Sequence, residues 1–275
     1  MSYDHPSWFA GLAGELTGDD DTTPALVLLH GLTYDRRNWD PALAELRRID
    51  PGRHVLTLDL PGHGQSRDVR DFALEHVVGT VHDAVDAAEL RSPVVVGHSV
   101  GGVAATIYAA VWPTSGVVNV DQPLQIDGFA AYVRSKAEQL RGPDYRAVWD
   151  EILPTLGTEV LPAEAQELLR ATSTPTQDLL LGYWAEVLHG SPEQLGQLVD
   201  TTLSAVRTTR VPYMHLAGES LDPDYERWLA ERLPGAAVVC WPRSGHFVHL
   251  AHPDGFAELL AGTASWPMAS RLVVG

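Results

Sequence analysis

Pro93-Val94-Val95-Val96-Gly97-His98-Ser99-Val100-Gly101-Gly102-Val103-Ala104 is the stretch on which the reading of this chain turns. Its first four residues are a short, wholly apolar run of the kind a parallel strand buried on both faces requires. From Val103 onward, Ala104, Ile107, Tyr108 and Val111 give a helix that should stop before Pro113. Between strand and helix lies Gly97-His98-Ser99-Val100-Gly101, a Gly-x-Ser-x-Gly pentapeptide. Its glycines allow a tight, strained turn that projects a serine hydroxyl as the backbone enters a helix N-terminus. Such a short pattern also arises by chance, so its place between a strand and a helix is what makes it informative. Ser99 is the candidate nucleophile, with His98 and Val100 read as packing for the turn.

Outward from this turn the same texture repeats. Ala25-Leu26-Val27-Leu28-Leu29, preceded by Pro24, and His54-Val55-Leu56-Thr57-Leu58 read as further buried strands, and Leu74 to Leu90 carries apolar residues at helical spacing. Downstream, Gly116-Val117-Val118-Asn119-Val120 ends at Asp121. The alternation predicts an α/β fold with a mainly parallel sheet flanked by helices on both faces. From Pro123 to about Ser204 the pattern becomes helical, broken by Pro143, Pro154, Pro162, Pro175 and Pro192, with no buried-strand run. This segment, 123–204, is expected to be an inserted helical cap between core segments 1–122 and 205–264. The core resumes with a strand at Val211 to Ala217, a helix at Asp224 to Leu233 and a strand at Ala237 to Trp241. The tail, 265–275, carries no pattern.

A length of 275 residues suits one catalytic unit, and no apolar stretch is long enough for a membrane span. Met1 to Glu15 lacks a basic segment followed by an apolar run, so the expected location is cytoplasmic. The single cysteine, Cys240, excludes an internal disulfide and reads as a buried strand thiol among Val238, Val239 and Trp241. A formal net charge of −17 argues against nucleic-acid and anionic-membrane partners. A neutral or apolar small molecule fits better.

Two further loops carry chemistry. His30-Gly31 follows the first core strand, and the next amide, Leu32, would point to the same place as the amide of Val100. Together they form a candidate oxyanion hole. Arg243-Ser244-Gly245-His246 follows the last strand, so a loop can carry the His246 imidazole back over the sheet as a general base. His249 and His252 share its three-residue spacing, but that spacing matches no metal-ligand pattern, and no metal or organic cofactor is expected. Of the cap aromatics Phe129, Tyr132, Trp149, Tyr183 and Trp184, Trp184 is the candidate pocket wall, and with Gly31 the candidate substrate contact.

His30-Gly31, Asp59-Leu60-Pro61-Gly62-His63-Gly64-Gln65-Ser66, Gly97 to Gly102 and Ser244-Gly245-His246-Phe247 together resemble the α/β-hydrolase family over nearly all of Leu26 to Leu260. The resemblance implies a nucleophile at Ser99, oxyanion amides at Leu32 and Val100, a base at His246 and a cap over the entrance. It implies cleavage of a small-molecule ester or lactone through an acyl-enzyme. The scaffold also hosts C–C bond hydrolases, cofactor-free haloperoxidase-like enzymes and ligand receptors, which stay open as alternatives.

The acid is where the chain departs from the family. The common pattern places Asp three residues after the Gly ending the next-to-last strand; here that Gly is Gly218 and the position is Leu221. Asp222 is one residue late, and Asp224 and Glu219 are near. A second family solution places the acid just after the strand that follows the nucleophile helix, where Asp121 stands. Asp121-Gln122-Pro123, with Gly245-His246-Phe247 and His252-Pro253, is locally similar to the lactonases that open the macrocycle of zearalenone. Asp121 is the favoured acid and Asp222 the alternative.

Overall fold

Runs such as Leu26-Val27-Leu28-Leu29 have no polar face to offer water. In the computed structural model, which describes residues 5–266, every residue of that run is buried. In chain order, β1 (Ser7–Phe9) and β2 (Leu12–Thr17) precede β3 (Leu26–Leu29), and a 3-10 turn at Arg36–Trp39 leads into α1 (Asp40–Ile49). Then come β4 (Val55–Leu58), α2 (Leu74–Ala87), β5 (Val94–His98), α3 (Val100–Val111) and β6 (Gly116–Val120). The segment that follows is wholly helical: α4 (Asp127–Ser135), α5 (Ala137–Arg141), α6 (Tyr145–Ile152), α7 (Ala163–Thr172), α8 (Gln177–Tyr183), α9 (Ala185–His189) and α10 (Pro192–Thr209). The chain then returns through β7 (Tyr213–Ala217), α11 (Pro223–Arg232), β8 (Ala237–Cys240), α12 (Val248–Ala251) and α13 (Pro253–Gly262).

The strands form one sheet in the order β1-β2-β4-β3-β5-β6-β7-β8, parallel from β4 to β8, with β1 and β2 antiparallel at one edge. Alternation along each strand divides the core. Val27, Leu29, Val95 and Val117 face a layer built from α2, α3 and the insert, whereas Leu26, Leu28, Val94, Val96 and Val118 face α1 and α13. The register pairs Leu29 with Gly97, His98 with Val120, and Val120 with Leu216. The loops opening at His30, Ser99, Asp121 and Gly218 therefore emerge side by side at the carboxyl edge, where open parallel sheets place their ligands.

Several features depart from the sequence reading. β1, β2, α1 and α13 lie outside it, because short antiparallel edge strands and helices rich in charge or glycine lack the continuous apolar run that marks a central strand. Residue 204, read as the end of the cap, falls inside α10, which continues to Thr209 and packs along α3. Cys240 is half-buried rather than buried: β8 pairs only with β7, so Val238 is exposed and the thiol stands on an edge strand. Of the tail, residues 267–275 lie outside the described residues. No helix among the described residues is long and apolar enough to cross a membrane.

Packing is very tight where β5 turns into α3. A Cβ on Gly97 would stand 1.9 Å from the Gly101 carbonyl oxygen, and one on Gly101 would stand 2.2 Å from the carbonyl oxygen of Leu29. Both obstacles are backbone, so no side chain can swing aside. Gly101→Ala should destabilise the chain by about 3 kcal/mol or more, measured by urea unfolding. A loss under about 1 kcal/mol would show that the elbow is not packed as described.

Candidate active site

The turn at Ser99 is strained as the pentapeptide requires. Ser99 has φ 54° and ψ −124°, its N–H donates to the Val120 carbonyl at 3.1 Å, and its own carbonyl accepts from Gly102 N–H at 2.7 Å. Thr33, Asp121 and Arg243 also have positive φ, at 72°, 52° and 65°. All four belong to loops leaving the carboxyl ends of β3, β5, β6 and β8. Backbone strain in non-glycine residues is costly and collects where surrounding structure enforces a functional geometry.

Asp121 follows β6, with its N–H donating to the Leu216 carbonyl at 2.7 Å. One carboxylate oxygen, Oδ1, accepts from Gly218 N–H at 2.8 Å, and Oδ2 accepts from His246 Nδ1–H at 2.8 Å. The first bond aims the carboxylate, and the second leaves His246 Nε2 as the free, proton-accepting nitrogen. The two side chains are 22% and 18% exposed, so the pair is largely shielded from water. Asp222 is elsewhere: it caps the N-terminus of α11, its Oδ1 accepting from Asp224 N–H at 2.7 Å, and it is exposed. Of the two candidate carboxylates, only Asp121 is bonded to His246.

Ser99 is half-buried, and its Oγ makes no hydrogen bond to His246. Contacts of this type are often long in free enzymes and tighten in the Michaelis complex. The amides of Leu32 and Val100 have no protein acceptor among the described residues, as an oxyanion site requires. Gly31 explains the close approach of the two loops, since a Cβ there would stand 2.8 Å from His98 Nδ1 and 3.4 Å from Ser99 Cβ. The Asp59 to Ser66 loop braces this strand end: His63 Nε2 accepts from Thr33 N–H and His30 Nε2 from Leu60 N–H, both at 3.0 Å. Asp59 itself is ion-paired with buried Arg36.

Trp184 is buried within the insert, edge-on to Phe129 at 5.6 Å and 6.4 Å from the Trp149 ring. Its ring thus packs with other aromatics of the insert. The three histidines of the last loop diverge: His249 lies against Trp39 at 4.4 Å and His252 edge-on to Trp241 at 5.8 Å, while His246 faces Asp121. A wide surface groove of about 560 Å³ lies away from this site, between α2 and α3.

Sequence reasoning treated His98 as packing alone. Its Nε2–H donates to the His246 carbonyl at 2.9 Å, while His246 N–H donates to the Leu156 carbonyl of the insert at 2.9 Å. The peptide of the candidate base is therefore held from both sides. Nothing in the pentapeptide announces the first bond, which joins segments remote in sequence. Burial, followed by repulsion from His246 and His249, keeps His98 well below the usual histidine range, so it stays neutral.

The geometry is that of an α/β-hydrolase scaffold with Ser99, His246 and Asp121 on adjoining loops. The sequence pattern of the Alpha/beta hydrolase family matches residues 26–259, and the chain belongs to this family. It is 30% identical to a pimeloyl-[acyl-carrier protein] methyl ester esterase of Xanthomonas campestris pv. campestris, over 86% of this chain and 93% of that one. It is 35% identical to the sn-1-specific diacylglycerol lipase of Mus musculus, over 90% of this chain and 83% of that one. Among solved structures, a protein that recognises and ring-cleaves the Pseudomonas quinolone signal superposes with a TM-score of 0.75 at 19% identity, covering 92% of this chain and 96% of that one. That last likeness is one of fold.

Five buried histidines set an acid limit on the fold. His30, His63, His98, His215 and His249 are all held below the ordinary range, chiefly by burial, His215 to about 4 and His249 to about 3. The unfolded chain takes up these protons near pH 6.5 but the folded chain does so only at lower pH, so this stability is complete above about pH 6.5 and is lost as pH falls below it. His249 has no hydrogen-bond partner on either ring nitrogen. His249→Leu should therefore flatten the slope of unfolding free energy between pH 4 and 6 by about 1.4 kcal/mol per pH unit. Parallel curves for the two proteins would contradict this.

Proposed function

We propose that this chain is a serine hydrolase that cleaves a carboxylic ester or lactone of an apolar small molecule through an acyl-enzyme. The observation that carries the reading is the hydrogen bond from His246 Nδ1 to Asp121 at 2.8 Å, beside a strained nucleophile elbow at Ser99. In the first half-reaction Ser99 Oγ attacks the substrate carbonyl and His246 Nε2 takes its proton. The amides of Leu32 and Val100 stabilise the tetrahedral oxyanion, and Asp121 stabilises the imidazolium. His246 then returns the proton to the departing alcohol, which leaves the acyl group on Ser99. In the second half-reaction His246 deprotonates water, the water attacks the acyl-enzyme, and Ser99 is restored as the acid departs.

Ester chemistry is favoured over the other reactions of the scaffold by the esterase and the lipase among the relatives. An uncharged substrate is favoured by the net charge of −17 and by the insert, residues 123–204, which carries twelve acidic against five basic side chains. Trp184 is proposed as part of the apolar wall of the insert, acting on substrate choice rather than on the chemical step.

Ser99→Ala should abolish hydrolysis of activated esters without unfolding the chain. Asp121→Asn should lower turnover by about four orders of magnitude, because the wrong imidazole tautomer is then favoured. Asp222→Asn should change turnover less than about tenfold, since that carboxylate caps α11. Steady-state kinetics on one nitrophenyl ester distinguishes the variants. A Ser99→Ala protein with more than about a tenth of wild-type activity would exclude the nucleophile assignment. The reverse order of the two Asp variants would move the acid to Asp222.

A further inference from the structure

Among the described residues the buried tyrosines are Tyr34, Tyr108, Tyr183, Tyr213 and Tyr225. A hydroxyl taken out of water needs a hydrogen-bond partner, and four of the five have one within the protein. Tyr108 meets His82 Nδ1 at 3.2 Å, Tyr183 donates to the Pro61 carbonyl at 2.9 Å, Tyr213 meets Thr106 Oγ1 at 2.9 Å, and Tyr225 accepts from Leu124 N–H at 3.1 Å. The Tyr34 hydroxyl has no protein partner among the described residues, although the residue is only 3% exposed. Neither is that oxygen sealed in the core with the other unpartnered polar atoms, so it meets open space. If packing alone were required there, phenylalanine would serve without an unmet hydroxyl.

Its position says what that space is. Tyr34 lies two residues beyond the Leu32 amide, its N–H closing a turn onto the Gly31 carbonyl at 3.3 Å, and its ring stands edge-on to Phe247 at 5.3 Å. Phe247 directly follows His246. The ring thus bridges the loop of the oxyanion amides and the loop of the base. The insert reaches over the same turn, with Thr174 N–H donating to the Thr33 carbonyl at 2.7 Å. Burial raises the Tyr34 phenol above its ordinary range, which keeps it protonated and a donor.

We propose that the Tyr34 hydroxyl is a specificity-determining hydrogen-bond donor to the substrate, selecting esters or lactones that carry a second oxygen acceptor close to the scissile carbonyl. This rests on the hydrolase reading and adds a polar requirement to an otherwise apolar substrate. A site built to bond a substrate oxygen discriminates against the analogue that lacks it, because the buried donor is then left unpaired.

Two matched pairs of substrates test it. Nitrophenyl methoxyacetate and nitrophenyl butanoate differ by oxygen for methylene on the acyl side; 2-methoxyethyl and butyl esters of one acid differ so on the alcohol side. The comparison of wild type with Tyr34→Phe within each pair cancels intrinsic reactivity. In at least one pair the substitution should lower kcat/KM on the oxygenated member about tenfold more than on its hydrocarbon isostere. Equal losses within both pairs would overturn the proposal while leaving the hydrolase reading intact. Ser99→Ala is run beside them: turnover that survives it, or no turnover by wild type on any of the four esters, overturns the hydrolase reading and this proposal together.

Discussion

The interaction on which the site depends is backbone against backbone. β5 and α3 approach so closely at the elbow that a side chain at Gly97 or Gly101 would collide with main-chain carbonyls. That contact leaves Ser99 as the single residue that must absorb the reversal, at φ 54°. A serine in an ordinary strand would point into one face of the sheet, and one in an ordinary helix would point along its side. Only the forced turn lifts the hydroxyl above the carboxyl edge while the Val100 amide, unpaired at the helix start, points at the same space. The strain at Thr33 and Asp121 belongs to the same edge, where neighbouring strands bring each loop within reach of the next.

The proposed mechanism asks that His246 be placed as firmly as Ser99, and a loop that follows an edge strand is poorly suited to that. β8 has a single neighbour and half its residues are exposed. The chain compensates after it leaves the strand: His98 holds the His246 carbonyl, Leu156 of the insert holds its N–H, and Asp121 holds its ring. Since one of these bonds comes from the insert and one from the residue before Ser99, the position of the imidazole is tied both to the elbow and to the helices above it. The clamp residues hold His246 through its backbone and its side chain.

Much of this was legible in the sequence, and the boundary has physical causes. Central strands buried on both faces, such as Leu26 to Leu29 and Val94 to Val96, must be apolar throughout, so they are visible as runs. β1 is only three residues long and β2 is interrupted by Gly14 and Glu15, so no such run marks them. Ser99 carries its own local signature. His246 was found only by its place after the last strand. The acid was ambiguous because β6 and β7 are neighbours and a carboxylate follows each; in three dimensions Asp121 is bonded to His246, and Asp222 is occupied as a helix cap. The His98 bond and the unmet hydroxyl of Tyr34 are relations between residues far apart in the chain, and no local spacing encodes them.

The central claim is that Ser99 is the nucleophile of a covalent mechanism assisted by His246. Its most direct measurement is covalent trapping: the folded protein is treated with a fluorophosphonate ester, and the adduct is located by peptide mass spectrometry. One phosphonyl group should be found on the peptide containing Ser99, with loss of esterase activity in proportion to labelling. An adduct on another residue, or a protein that stays fully active and unlabelled under conditions that inactivate serine hydrolases, would contradict it.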